Sequence, residues 1–105
     1  MKSDPVRFRN SLENDAPPAD LAPLAAALWH AAKCGGAVND HWHAAHGIAQ
    51  DDPSQMGSWV HAHLHRIEGD LANAGYWYRQ AGKPASRAPL VAEWEEILDE
   101  VLADQ

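Results

Sequence analysis

SQMGSWVHAHLHRIEGDLANAGYWYRQAGKP, Ser54 to Pro84, is the stretch around which the rest of the chain arranges itself. Ser54 is a helix-capping residue type, and Met56, Val60, Leu64 and Ile67 then recur at helical spacing. Glu68-Gly69-Asp70 breaks that period as a tight turn. Asp70 can cap a second helix, Leu71 to Ala81, with Leu71, Ala74, Tyr78 and Ala81 along one face. Gly82 and Pro84 then supply C-terminal punctuation, because glycine accepts a left-handed ending and proline cannot continue a helix. The segment reads as a helical hairpin.

Upstream, Asp20 is expected to cap a helix starting at Leu21, with Pro23 in its first turn, where a missing N–H is harmless. Leu21, Leu24, Ala25 and Leu28 follow at helical spacing, and Gly35-Gly36 ends the run. Residues 34–40, CGGAVND, read as a flexible loop that includes Cys34. Asn39 or Asp40 caps a further helix, roughly His41 to Gln50, with Trp42, Ala45 and Ala49 on one face. Asp51-Asp52-Pro53 stops it, since the residue before proline avoids helical dihedrals. Downstream of a short linker, Leu90, Trp94, Ile97, Leu98, Val101 and Leu102 form the cleanest amphipathic pattern in the chain. No segment alternates with period two. The expected fold is all-α: two stacked antiparallel helical hairpins and a C-terminal capping helix. Residues 20–105 form its single domain. Residues 1–19, with Pro5, Pro17 and Pro18 and no period, read as a flexible arm.

At 105 residues the chain suits one small domain, and 46% hydrophobic content excludes a wholly disordered one. A formal charge of −7 argues against nucleic acid as a partner, because phosphate binding needs a basic patch. The single cysteine cannot form an intrachain disulfide. The longest apolar run, Leu21 to Trp29, contains a proline and is too short for a bilayer, so no membrane partner is expected. The N-terminal basic residues precede no apolar run of the secretory kind, so a cytoplasmic location is the default expectation.

The two hairpins look like copies of one unit. Trp42-x-x-Ala45 corresponds to Leu71-x-x-Ala74, and Pro53 to Pro84. Trp59, Ala62, Gly69-Asp70, Ala74, Tyr78, Ala81 and Pro84 follow the order of aromatic, small, turn and proline positions of one repeat family. On those residues the stretch Ser58 to Pro84 resembles a tetratricopeptide repeat, with Trp59 one place out of register. The likeness is clear over about residues 58–84 and weak over 21–53. It implies a binding module whose groove takes a peptide, a partner protein or a small ligand. A groove made by two hairpins is small, so self-association as a homodimer is a further expectation. One departure stands out: His61 and His65 occupy two positions of the first repeat helix where bulky apolar groups belong.

His61 and His65 are four residues apart and share a helix face, with Glu68 on nearly the same line. Such a pair can share a metal ion. In stacked hairpins the second helix of one copy meets the first helix of the next, which brings His46 near. His46, His61, His65 and Glu68 are therefore the candidate ligand pocket. The three histidines are the candidate metal ligands, for a divalent ion such as zinc. The chain carries HAHLH, not HExxH, so no general base lies between the ligands. Two functional readings follow. One is a binding module with a histidine-lined pocket; the other is a zinc-type hydrolytic enzyme built on the three histidines. The plain structural reading is that buried imidazoles bond nearby carbonyls or carboxylates. His63 lies half a turn away and is expected in solvent. His41 and His43 are expected at the surface, and His30 near a helix C-terminus needs no functional account. Tyr76 and Trp77 form a candidate contact surface, with packing on the last helix the simpler account of Trp77.

Overall fold

The computed structural model describes residues 5–104. Six helices lie among them: α1 (Pro5–Ser11), α2 (Pro23–Lys33), α3 (Asp40–Gln50), α4 (Gln55–Glu68), α5 (Leu71–Ala81) and α6 (Leu90–Ala103). No strand occurs among the described residues. The expected all-α architecture is therefore what the chain adopts. α2 pairs with α3, α4 pairs with α5, α3 packs on α4, and α6 lies across α2 and α4. No helix of the described residues is long and apolar enough to cross a membrane.

Local chemistry sets the helix ends. The Asn39 side chain accepts from the Trp42 amide at 3.2 Å, Ser54 from Gly57 at 3.0 Å and Asp70 from Asn73 at 3.1 Å. Each satisfies an amide that the first helical turn leaves free. α4 and α5 end alike. Gly69 and Gly82 take left-handed backbones (φ 85° and 69°), and the next amide closes back onto the carbonyls of His65 and Tyr78 respectively. The α4–α5 link is only Gly69-Asp70, which forces the two helices antiparallel.

Four sequence expectations need correction here. Residues 5–11 are not a loose arm, because α1 buries Phe8 and lays it 6.1 Å from the Trp94 ring. Trp29 donates to Ser11 Oγ, and the Lys33 ammonium holds the Leu12 and Asn14 carbonyls at 2.9 and 3.0 Å. Residues 1–4 of that expected arm lie outside the described residues. Asp20 does not cap α2, which begins at Pro23 after Ala22; its carboxylate pairs with Arg7 at the surface instead. Cys34 is not in a flexible loop: it closes α2, buried, with Sγ donating to the Ala31 carbonyl at 3.0 Å. Leu71, expected in the apolar face of α5, is 69% exposed, because it sits one residue after the turn and beyond the reach of α4.

α4 is the central element. It touches α2, α3, α5 and α6, and Gly57 through His65 is buried without interruption. A helix surrounded on all sides has no solvent face. Tryptophans tie its neighbours together through their N–H groups, Trp42 to the Leu64 carbonyl and Trp94 to the Leu28 carbonyl, each at 2.8 Å. At the start of α4 the Gly57 backbone presses against Asp52. A Cβ there would stand 2.5 Å from the Asp52 carbonyl oxygen, whereas one on Gly47 of α3 would meet nothing within 4 Å. Gly57→Ala is therefore expected to lose about 1–3 kcal/mol by overpacking. Gly47→Ala should gain up to about 1 kcal/mol from helix propensity. Urea midpoints of the two variants check the contrast, and a neutral Gly57→Ala would contradict the close approach.

Candidate metal centre

The short α4–α5 and α3–α4 links place one face of α3 along α4, as far as Leu64 and His65, and α5 beside α4 as well. Three histidines meet at that junction. His46 comes from the partly buried flank of α3, and His61 and His65 from successive turns of α4, 4% and 6% exposed. One ligand nitrogen from each lies within 4.8 Å of the other two. The His46 and His61 Nε2 atoms are 3.1 Å apart. Two ligands on a tetrahedral zinc with Zn–N bonds of about 2.0–2.1 Å are separated by ~3.3 Å. The pair already has the spacing of a coordination edge.

The surroundings hold the rings. Trp42 stacks on His46 (4.9 Å, 10°), and Trp77 stacks on His61 (3.9 Å, 15°). The sequence reading put Trp77 against the last helix; its ring stacks on the histidine cluster instead. Tyr76 beside it is 46% exposed, so the pair is split between core and surface. His65 Nδ1 lies 2.8 Å from Glu68 Oε1. A carboxylate there makes Nδ1 the donor and leaves Nε2 as a lone pair, the arrangement that orients metal-binding imidazoles from behind. Glu68 therefore acts on a ligand and does not itself join the three.

Charge favours the ligand state. The His61 pKa is pushed down to about 4, first by burial and then by His46 and His65. That of His46 is also lowered, mainly by burial and then by His65. Both rings are neutral at pH 7, as nitrogen ligands must be. Without a metal, a single proton is shared across the 3.1 Å gap. His61 Nδ1 is then the one buried side-chain N or O without a partner among the described residues.

The remaining histidines sort differently from the sequence reading. His43 is exposed, as expected. His41 is only partly exposed, and its Nδ1 meets His30 Nδ1 at 3.0 Å. His63, expected in solvent, is 2% exposed and lies with Nδ1 2.7 Å from Glu93 Oε1. Sequence reasoning missed Glu93 altogether. It is 1% exposed on α6 and also receives Arg66 Nη1 at 2.8 Å and the Tyr78 hydroxyl. Burial alone would raise its pKa, but the bonds from His63, Tyr78 and Arg66 hold it below the ordinary carboxylate value. Burial, and then Glu93, pushes the Tyr78 pKa up.

No family model, curated protein or solved structure matches this chain. Fold and site together define only a class, a small all-helical protein with a histidine cluster of metal-ligand spacing.

Proposed function

We propose that this protein is a metal-binding helical module in which His46, His61 and His65 hold a divalent transition ion of the zinc type. The observation that carries the reading is the convergence of three imidazole nitrogens, from two helices, within 4.8 Å, with Glu68 fixing the tautomer of one. Imidazole sets of this kind suit zinc and its late first-row neighbours. Two histidines come from one helix and the third from the other hairpin, so the ion would clamp the hairpins together. Binding then adds to folding stability. Binding is favoured over hydrolysis because two cavities of about 540 Å³ lie on other faces of the molecule, with none of the three histidines in their walls. A peptide groove along α2 and α4 is disfavoured, because α6 already covers them both.

The test is metal content and zinc affinity of the purified protein, measured calorimetrically, beside His61→Ala, Glu68→Gln and the exposed control His43→Ala. One zinc per chain is expected for the parent and for His43→Ala. Stoichiometric binding should vanish in His61→Ala. Glu68→Gln should weaken binding about 10–100-fold, the usual effect of losing an orienting carboxylate. Equal affinity in the parent and His61→Ala would sink the proposal.

A further inference from the structure

His30 and His41 take no part in the three-histidine centre. His30 lies in the last turn of α2 and His41 in the first turn of α3, so the short loop between those helices joins them. Their Nδ1 atoms face each other across 3.0 Å. That is nearly the 3.1 Å between His46 Nε2 and His61 Nε2. It is also close to the edge of a tetrahedral zinc site, ~3.3 Å for bonds of about 2.0–2.1 Å.

A third ring positions the pair. Trp29 is fully buried and packs edge-on against both imidazoles, 5.2 Å from His30 and 5.9 Å from His41. Its own N–H is fixed on Ser11 Oγ. Both histidines keep one side partly open to water, which gives an ion a way in. Among the described residues neither ring has another hydrogen-bond partner. Lys33, three residues beyond His30, directs its ammonium to the Leu12 and Asn14 carbonyls. Burial, and then His41, lowers the His30 pKa, which favours the neutral ring that a metal requires. No third histidine, cysteine or carboxylate of the described residues joins the two at ligand spacing. Water would therefore fill the rest of the shell, and the site would be weaker than one with three imidazoles.

We infer that His30 and His41 form a second, weaker site for a divalent ion of the zinc type, bound through the two Nδ1 atoms. The ion takes the place of the hydrogen held between those nitrogens, and that hydrogen moves to Nε2 of the same ring. Both rings remain neutral ligands. Bound there, the ion fastens the end of α2 to the start of α3 across a loop that contains two left-handed glycines, Gly35 and Gly36. The site stands independently of the three-histidine centre.

The test is a calorimetric zinc titration of the metal-free protein. The parent should bind two ions in two phases, the second about ten-fold or more weaker because two protein ligands replace three. His41 is partly exposed in a first helical turn, so His41→Ala spares the core. It should lose the weak phase and keep the tight one. His61→Ala should do the reverse, so failure of the three-histidine centre and failure of this site are told apart. His43→Ala should keep both phases. In ring-nitrogen NMR, zinc filling the weak phase should move the Nδ1 resonances of His30 and His41 and leave His43 unmoved. The inference is overturned if no saturable phase below about 1 mM zinc depends on His41. It is overturned equally if the shifts are confined to His43, which would mark an adventitious ion only.

Discussion

Glu93→Ala is expected to lose about 3–5 kcal/mol of folding stability at pH 7, the range for removing one partner of a buried ionic pair. Glu93 is the point where α4, α5 and α6 are tied. His63 and Arg66 approach from α4, Tyr78 from α5, and the carboxylate itself stands in the first turn of α6. Alanine would leave three donors facing an apolar gap. Tyr78 and His63 are 2% exposed and cannot turn to water without opening the core. Arg66 is less constrained, since its Nη2 also donates to the Ala88 carbonyl at 2.6 Å. The substitution also removes an acid from a helix N-terminus that has no side-chain cap, which adds a few tenths of a kcal/mol. Domains of this size are stable by only about 5–15 kcal/mol, so the variant should sit close to its unfolding threshold. Urea denaturation followed by circular dichroism gives the measurement. A loss below about 1 kcal/mol would mean that the network contributes specificity and not stability.

That network was not legible in the sequence, and the reason is geometric. Glu93 sits in Ala92-Glu93-Trp94-Glu95-Glu96, a run of acids that reads as a solvated helix face. Its partners lie 15 to 30 residues away on two other helices. Periodicity reports which face of a helix is apolar, but not what a second helix places opposite it. His63 failed for a related reason. Placing it in solvent assumes that α4 has one buried face, whereas α4 is enclosed by four helices. The uncharged run from Gln55 to Leu64 was the available signal, because a helix with a solvent face seldom lacks charge for ten residues.

The histidine cluster was legible because its logic is local. The i, i+4 spacing of His61 and His65 needs only a helix, and the approach of His46 needs only the order of stacked hairpins. Helix ends were legible for the same reason. Asn39, Ser54 and Asp70 bond amides three residues ahead, inside the reach of sequence reasoning. Phe8 and α1 were invisible because seven residues with one buried aromatic carry no period.

The metal-free protein, held in chelator, is expected to lose about 2 kcal/mol of stability between pH 7 and pH 5, and about 3 kcal/mol in all once pH falls below 4. The sign follows from His61. Its ordinary pKa is 6.5 and its folded pKa is about 4, lowered first by burial. Between those values the unfolded chain binds a proton that the folded chain refuses, so unfolding gains free energy as pH falls. The loss begins near pH 6.5 and is complete near pH 4. His46 on α3 and His65 on α4 face His61 as potential like charges, and Trp77 closes the α5 side without a charge to offer. Two carboxylates lie nearby, Glu68, bonded to His65, and Asp70 within 4.8 Å of both; of these Glu68 opposes the shift at His46. His61→Phe should flatten most of the slope between pH 7 and 5, with a remnant from His46 and from His30, both lowered mainly by burial. Glu93 does not confuse the result, because its folded pKa lies below the ordinary value of 4.5 and its loss comes later in acid. Urea midpoints at half-unit steps from pH 7 to 4 make the measurement. A parent protein as flat as His61→Phe across that window would show that His61 is not held neutral by burial, and the neutral ligand set would lose its electrostatic basis.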